Sequence, residues 1–313
     1  MRASPAPPDL AAATAFLATR YDGDAPGVAE IGRGEWARAY GFTHQGAAFV
    51  VRFGHEREDF EKDRIAAGYA SPRLPIPRLI EIGEAFDGYY AISERAFGTH
   101  LDKLDEPSLR AALPSLLIAY DAMREADVAH TRGYGMWGAT GNAPYATWPE
   151  ALLSIVDAPE NPRIAGWREQ LDGSPEGRAA FDEAAVCLRN LAPSLPAERH
   201  LVHSDPLNGN ILVRDGRVSA ILDWGCGMYG DFVYDLAHLS FWMEWFPAQH
   251  AIDIAGEAEG HYEAIGLRVP NFRERIRACE IHIGLDAMAY NAFRRRQDEL
   301  PALARRTVRS VRA

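Results

Sequence analysis

Apolar residues in the first part of the chain recur in two patterns, one helical and one extended. Residues 10–20 show helical spacing, and Asp9 before them is of a type that caps helix N-termini. Residues 56–69 show it again, and Ser71-Pro72 ends that helix. Short apolar runs separated by turn residues predict five strands, at residues 28–31, 37–43, 47–53, 79–86 and 89–94. Asp87-Gly88 is a strong hairpin signal, so we expect an antiparallel sheet with one helix inserted after the third strand.

Beyond residue 96 the apolar spacing is mostly helical, with predicted helices at residues 108–125, 148–156, 177–191 and 271–293. Residues 200–224 interrupt it with two apolar runs that flank Asp215-Gly216, which indicates another hairpin. The chain of 313 residues is too long for one ordinary core. We therefore expect an α+β fold with two lobes, an N-terminal one at residues 1–96 and a larger, mostly helical one at residues 97–313.

The composition is that of a soluble globular protein, since 47% of the residues are hydrophobic and 25% are charged. No apolar run approaches the ~20 residues that a membrane span needs, and the N-terminus lacks a signal-peptide layout, so we expect a cytoplasmic protein without a membrane partner. The net charge of -11 disfavours nucleic acid and suits a cationic ligand. The three cysteines lie far apart, which disfavours a zinc site and a disulfide framework.

The candidate chemistry lies in the stretch His203-Ser204-Asp205-Pro206-Leu207-Asn208-Gly209-Asn210 and, past the predicted hairpin, in Asp223-Trp224-Gly225. Phosphoryl transfer needs a carboxylate that orients the acceptor hydroxyl and takes its proton, and oxygen ligands that hold Mg²⁺ on the phosphates. The spacing matches the catalytic loop and the metal-binding aspartate of kinases. We assign Asp205 as catalytic base, and Asn210 and Asp223 as Mg²⁺ ligands.

Each of these residues alone has a plainer interpretation, because Asp and Asn in loops commonly support turns. The combination favours the functional interpretation, since apolar runs flank the loop on both sides and Asp-Trp-Gly ends a strand. We interpret His203 as a structural residue that packs the loop rather than one that moves protons.

A kinase also needs a cation on the third strand to engage the phosphates, and an acid on the following helix to align it. Alternation along the strand puts Val50 and Arg52 on one face, and neither lysine of the chain lies on that strand. The predicted cation is therefore Arg52, with a surface charge on an edge strand as the plainer alternative. Asp63 is our candidate for its partner, and Glu61 is the alternative.

Two backbone segments complete the expected nucleotide site. The loop Gly32-Arg33-Gly34-Glu35-Trp36-Ala37 lies between two strands, as a phosphate-covering loop does, and we assign Gly34 to this role although the third glycine of G-x-G-x-x-G is missing. The segment after the fifth strand joins the lobes. There the C=O of Glu94 and the N–H of Ala96 are candidates for pairing with the adenine edge.

These motifs together resemble the aminoglycoside phosphotransferase family. The resemblance rests on His203-Ser204-Asp205 to Asn210, on Asp223-Trp224-Gly225 and on Gly230-Asp231-Phe232-Val233-Tyr234-Asp235-Leu236-Ala237. It covers most of the chain. Segments in the same order point to the hygromycin branch of that family: Leu74-Pro75-Ile76-Pro77, Gly133-Tyr134-Gly135, Thr147-Trp148, His200-Leu201-Val202-His203 and Ile283-Gly284-Leu285-Asp286.

The resemblance implies a protein-kinase-like fold, ATP or GTP as co-substrate and Mg²⁺. It implies a small cationic sugar-containing acceptor, hygromycin B or a related aminoglycoside, whose phosphorylation confers antibiotic resistance. Acidic residues of the C-terminal lobe would bind this acceptor, and the candidates are Asp231, Glu280 and Asp286. For Asp231, a structural role in the G-D-x-x-Y-D-L-A segment is the alternative, and for the last two it is a solvated helix position. We expect a monomer.

Other interpretations stay open for the acceptor, which could also be a sugar, an amino alcohol or a macrolide. A non-catalytic nucleotide-binding scaffold is disfavoured because Asp205, Asn210 and Asp223 are all intact. A protein kinase is disfavoured because Ser204 stands where those enzymes carry arginine.

Overall fold

The computed structural model describes residues 7–34, 37–246 and 250–313. Its N-terminal part contains the strands β1 Ala29–Arg33, β2 Ala37–His44, β3 Ala47–Gly54, β4 Leu79–Ala85 and β5 Gly88–Glu94. They form one antiparallel sheet in the order β1-β2-β3-β5-β4. Helix α1 Leu10–Arg20 precedes the sheet, and helix α2 Arg57–Ala67 follows β3. The predicted sheet with one helix inserted after its third strand is confirmed.

The two faces of the sheet have different environments because side chains alternate along each strand. Val51 and Phe53 of β3 are buried in a cluster that includes Leu17 of α1. The intervening residue, Arg52, points to the other face, where its guanidinium lies 5.4 Å from the centre of the Phe60 ring of α2. The sheet therefore packs on α1 with one face and presents Arg52 beside α2 with the other.

The hairpin between β4 and β5 forms, but its turn lies one residue earlier than predicted. Phe86 and Asp87 have φ values of 54° and 58°, while Gly88 pairs with Ala85 as the first residue of β5. The glycine is needed for another reason, because a Cβ at Gly88 would lie 2.6 Å from the carbonyl oxygen of Gly54. The Asp215-Gly216 hairpin has positive φ at both turn residues, as predicted.

The rest of the chain is mostly helical, with α3 Glu106–Arg124, α4 Trp148–Asp157, α5 Trp167–Asp172, α6 Pro175–Leu191, α7 Tyr234–Trp242, α8 Ile254–Ala264, α9 Phe272–Phe293 and α10 Leu300–Arg312. Helices α3, α4, α6 and α9 match the predicted ones, whereas the other four were not predicted. Helix α7 is buried on most sides, so its sequence lacks an amphipathic pattern. The buried residues of α10 include Leu300, Leu303 and Ala304, a helical spacing that the sequence shows and the prediction missed.

Two small sheets bring the motif-bearing segments together. Strand β9 Ile211–Arg214 pairs with β10 Arg217–Ile221 and with β6 Thr99–His100. Strand β11 Met228–Gly230 pairs with β7 Gly135–Met136 and β8 His200–Val202. The loop that carries Asp205 leaves β8, and Asp223 follows β10. In the part of the chain that the structure describes, no helix has the length and apolarity needed to cross a membrane.

Candidate active site

A buried carboxylate binds the backbone of the loop at residues 203–210. Asp235, at the start of α7, accepts hydrogen bonds from the backbone N–H groups of His203 and Ser204, at 2.9 and 2.7 Å. Ser204 needs this support because its φ is 64°, in the left-handed region that costs non-glycine residues energy. Burial raises the pKa of Asp235, and its hydrogen bonds to these N–H groups oppose that effect. Asp235 therefore anchors the loop rather than facing a ligand.

Asp205 lies at the turn of this loop and is held by two amide side chains. The Nδ2 atoms of Asn208 and Asn210 donate to its two carboxylate oxygens, at 3.0 and 3.1 Å. The pKa of Asp205 is raised to about 6, chiefly by burial. The nearby Asp223 carboxylate also raises it, whereas the two amide donors lower it. A carboxylate with a raised pKa that is still ionised at neutral pH is well suited to accept a proton.

His203 is fully buried, as expected of a structural residue. Its Nε2 lies 2.8 Å from the carbonyl oxygen of Leu222, and its Nδ1 accepts the N–H of Asp205 at 3.3 Å. These contacts together require the neutral ring with the proton on Nε2. The ring also packs edge-on against Trp224 at a centroid distance of 4.7 Å. The histidine thus ties the loop to the Asp-Trp-Gly segment.

Asp223 presents an exposed carboxylate just past β10. Its φ of 56° turns the chain sharply into the short 3₁₀ helix Trp224–Cys226. Asn210 uses its amide nitrogen to bond Asp205, which leaves its carbonyl oxygen as the atom suited to a cation. An amide oxygen and a carboxylate are ligands that Mg²⁺ accepts when phosphates and water complete its shell. The donor chemistry of Asn210 and Asp223 therefore fits the expected metal.

A chain of contacts joins the N-terminal sheet to the Asp-Trp-Gly segment. The guanidinium of Arg52 forms an ion pair with Asp63 of α2 through Oδ2. The other oxygen of Asp63 accepts the backbone N–H of Trp224 at 2.8 Å. Between the two candidates for the partner of Arg52, the structure thus selects Asp63. Glu61 pairs instead with Arg57 and Arg64 on its own helix.

The remaining candidates for the nucleotide site lie at the edges of the sheet. The N–H of Gly34 donates to the carbonyl of Ala37 at 3.0 Å, while Glu35 and Trp36 of the same loop lie outside the described residues. Glu94 ends β5 and donates its N–H to the carbonyl of Arg78 at 3.0 Å. Ala96 follows as a half-buried residue of the connecting segment. These positions agree with the predicted layout, and their roles stay predictions.

Two of the three candidates for acceptor binding have internal partners. Both carboxylate oxygens of Asp231 accept from the guanidinium of Arg275, at 2.8 and 2.5 Å, and Asp231 is fully buried. Glu280 accepts hydrogen bonds from Arg306 at 2.8 Å and from the hydroxyls of Ser240 and Ser310. Neither carboxylate is available to an ammonium group in this arrangement, so we do not retain them as acceptor ligands.

Asp286 of α9 is in a different situation. It is exposed to solvent, and desolvation by neighbouring protein atoms raises the pKa of its carboxyl to about 6. It acts electrostatically on Cys226 and Tyr290, as Asp205 also does. Asp286 therefore lies on the same side of the molecule as the catalytic loop.

Comparison with known proteins agrees with this geometry. Residues 27–268 match the phosphotransferase enzyme family, APH. The chain belongs to this family. It is 33% identical over 285 residues to hygromycin-B 4-O-kinase of Escherichia coli, an alignment that covers 90% of this chain and 80% of that protein.

Solved structures of this family superpose on most of the chain. The crystal structure of aminoglycoside phosphotransferase APH(4)-Ia has a TM-score of 0.84 at 30% identity and covers 97% of this chain and 99% of its own. A thermostable mutant of APH(4)-Ia, in a ternary complex with AMP-PNP and hygromycin B, has a TM-score of 0.83 at 30% identity, covering 96% and 97%. The resemblance seen in the sequence motifs is thus confirmed at the level of the family and the fold.

One residue beside the Asp-Trp-Gly turn was given no role by the sequence analysis. Lys62 of α2 is buried and donates from Nζ to the carbonyl oxygen of Gly225 at 2.9 Å. The signal that could have found it was the scarcity of lysine, since Lys62 and Lys103 are the only two in the chain. A buried lysine is rare enough to need an explanation.

Proposed function

We propose that this protein transfers the terminal phosphoryl group of ATP or GTP to a hydroxyl of an aminoglycoside, hygromycin B or a close relative of it. The observation that carries the proposal is the joining of Asp205, Asn210 and Asp223 to the Arg52–Asp63 pair through one network of contacts. Its likeness to hygromycin-B 4-O-kinase over 90% of the chain supports the choice of acceptor. Such an activity would confer resistance to the antibiotic.

In the proposed reaction, Asp205 accepts a hydrogen bond from the acceptor hydroxyl and orients its oxygen toward the terminal phosphorus. The oxygen–phosphorus bond forms as the bond to the leaving nucleoside diphosphate breaks, and the hydroxyl proton passes to the carboxylate of Asp205. Most of the rate comes from positioning and electrostatic stabilisation, which the fixed amide donors of Asn208 and Asn210 favour.

The nucleotide would lie between the sheet and the catalytic loop. Arg52 would engage the phosphates, and Asp63 fixes its guanidinium at the correct place. Asn210 and Asp223 would hold Mg²⁺, which supplies positive charge beside the phosphate oxygens when bound. The backbone of Gly34 would cover the phosphates, and the segment from Glu94 to Ala96 would contact the base.

The acceptor would enter from the side of α9. Asp286 is exposed there and can pair with an ammonium group of the acceptor. The net charge of -11 helps to attract a polycation. We further propose that residues 1–96 serve the nucleotide and residues 97–313 serve catalysis and the acceptor, in a monomeric cytoplasmic enzyme.

The test is mass spectrometry of hygromycin B after incubation with the protein, Mg²⁺ and ATP or GTP. We expect a product with one added phosphoryl group, and fragmentation would locate it, beginning with the 4-hydroxyl that the relative's name specifies. Asp205→Ala should lower turnover by about 100- to 10,000-fold, the usual contribution of a general base, and leave nucleotide binding nearly intact. Near-full turnover by this variant would contradict the assignment.

A coupled assay of nucleoside diphosphate release, run over a panel of acceptors, separates the alternatives. Hygromycin B should give the highest kcat/KM of the panel. If a sugar, an amino alcohol or a macrolide were the better acceptor, the phosphotransferase chemistry would stand and the aminoglycoside assignment would fall. A protein that binds nucleotide but releases no diphosphate with any acceptor would contradict the chemistry itself.

A further inference from the structure

Two consecutive residues of α2 hold the turn that follows Asp223. Asp63 accepts the N–H of Trp224 at 2.8 Å, and Lys62 donates to the carbonyl oxygen of Gly225 at 2.9 Å. The side chain of Lys62 is only 1% exposed, and its second contact is an ion pair at 3.4 Å with Glu58, one helical turn earlier. The ammonium group is therefore fixed between its own helix and the Asp-Trp-Gly turn.

Among the described residues, Asp223 has few contacts that orient its side chain apart from its attraction to Arg52. Its φ of 56° lies in the left-handed region, which is unfavourable for a residue with a Cβ. Its carboxylate accepts one long hydrogen bond, from the N–H of Gly225 at 3.4 Å. Glycine at position 225 adds backbone freedom to the same turn. The Gly225 carbonyl lies in the next peptide plane, between Gly225 and Cys226, and the two planes meet at the flexible Cα of Gly225. Without the contact at this carbonyl, the turn could rotate about that Cα.

We propose that Lys62 is a positioning residue for the metal-binding carboxylate of Asp223. Lys62 fixes the peptide that joins Gly225 to Cys226, and the fixed turn keeps the Asp223 side chain oriented for a divalent cation carried by the nucleotide phosphates. This inference rests on the proposed function. Because its side chain is buried, Lys62 acts through the turn and does not contact the nucleotide or the acceptor.

The use of lysine at this place is itself informative. Arginine supplies all but two of the 33 basic side chains, so lysine is not this chain's ordinary choice. An ammonium group is a compact charge on a flexible stem, whereas a guanidinium is a wide planar fork. Lys103 serves as a comparison, since its side chain is 70% exposed and pairs with neighbouring Asp102.

The test compares Lys62→Met with Lys103→Met in the full-length protein. The affinity for AMP-PNP is measured by calorimetry in EDTA and in excess Mg²⁺, and the ratio of the two dissociation constants gives the gain due to the metal. We expect Lys62→Met to reduce this gain by at least about tenfold, the effect of losing one charge-assisted hydrogen bond. Its affinity in EDTA and its dissociation constant for hygromycin B should stay within about twofold of the wild-type values, and Lys103→Met should match the wild type throughout.

A second measurement uses the wild-type protein and does not require a folded variant. Amine acetylation followed by mass spectrometry should modify Lys103 readily and Lys62 slowly, and AMP-PNP with Mg²⁺ should slow Lys62 further, while AMP-PNP in EDTA should not. Acetylation of Lys62 as fast as that of Lys103, or unaffected by the metal, would overturn the inference. The inference would also be overturned if Lys62→Met had the wild-type ratio of the AMP-PNP dissociation constants in EDTA and in Mg²⁺. A wild-type protein with no metal-dependent nucleotide affinity would instead overturn the proposed function.

Discussion

Replacement of Asp63 by alanine removes the two contacts that connect the sheet to the Asp-Trp-Gly turn. The ion pair with Arg52 and the hydrogen bond from the N–H of Trp224 disappear together. Removing one partner of a buried ion pair costs about 3–5 kcal/mol, and leaving a buried N–H without an acceptor costs about 1–3 kcal/mol. Arg52 keeps an attraction to Asp223 and Asp59, so we expect the lower end of this range, about 3–4 kcal/mol in the free energy of unfolding.

Urea unfolding measures this cost, and the KM for the nucleotide measures the functional consequence. We expect a lower urea midpoint and a KM raised by at least about tenfold, because an unaligned Arg52 no longer meets the phosphates. Asp63→Asn keeps an acceptor for Trp224 and should recover about 1 kcal/mol of the lost stability. Glu61→Gln is the matched control on the same helix. Its partners Arg57 and Arg64 are exposed, so its cost should stay below about 1 kcal/mol.

Two outcomes would refute this reasoning. If Asp63→Ala lowered the free energy of unfolding by no more than Glu61→Gln does, the pair with Arg52 would contribute nothing net. If stability fell as expected but the KM for the nucleotide stayed at its wild-type value, the contact would be structural only. In that case Arg52 would not be the residue that engages the phosphates.

Three further predictions concern other parts of the molecule. Asp235→Asn should lower the free energy of unfolding by about 1–3 kcal/mol in urea titrations, because one of the two loop N–H groups loses its acceptor. The KM for hygromycin B should rise about tenfold for each pH unit below about 6, since protonated Asp286 cannot pair with an ammonium group, and Asp286→Asn should remove this pH dependence. Gly88→Ala should cost about 1–3 kcal/mol in thermal unfolding, because its Cβ would lie 2.6 Å from the Gly54 carbonyl oxygen.

The residues that the sequence could predict are those whose partners lie close in the chain. Asp205 and Asn210 share one loop, and Asp223 follows a hairpin whose turn residues are evident, so their convergence follows from local structure. The sheet was predictable for the same reason, since its turns connect neighbouring strands. The one-residue error at Phe86 arose because Gly88 has a role other than the turn.

Contacts between distant parts of the chain could not be predicted in this way. Lys62 meets Gly225 across 163 positions, and nothing near either residue indicates the other. Two of the candidate acceptor ligands were assigned wrongly for the same reason. Asp231 and Glu280 have the residue type that an ammonium group requires, but their partners Arg275 and Arg306 lie on other helices and neutralise them. Of the three candidate acceptor ligands, we retain Asp286.

The charges around Arg52 explain why the nucleotide should bind together with a metal. Asp59, Asp63 and Asp223 all act electrostatically on this one guanidinium. Burial raises the pKa of Asp59 and the Asp223 carboxylate also raises it, whereas Arg163 and Lys62 lower it. A metal-free triphosphate would add more negative charge to this cluster and should bind weakly. A divalent cation at Asn210 and Asp223 turns the repulsion between these carboxylates and the triphosphate into an attraction. The orientation of Asp223 should therefore govern nucleotide affinity as well as catalysis.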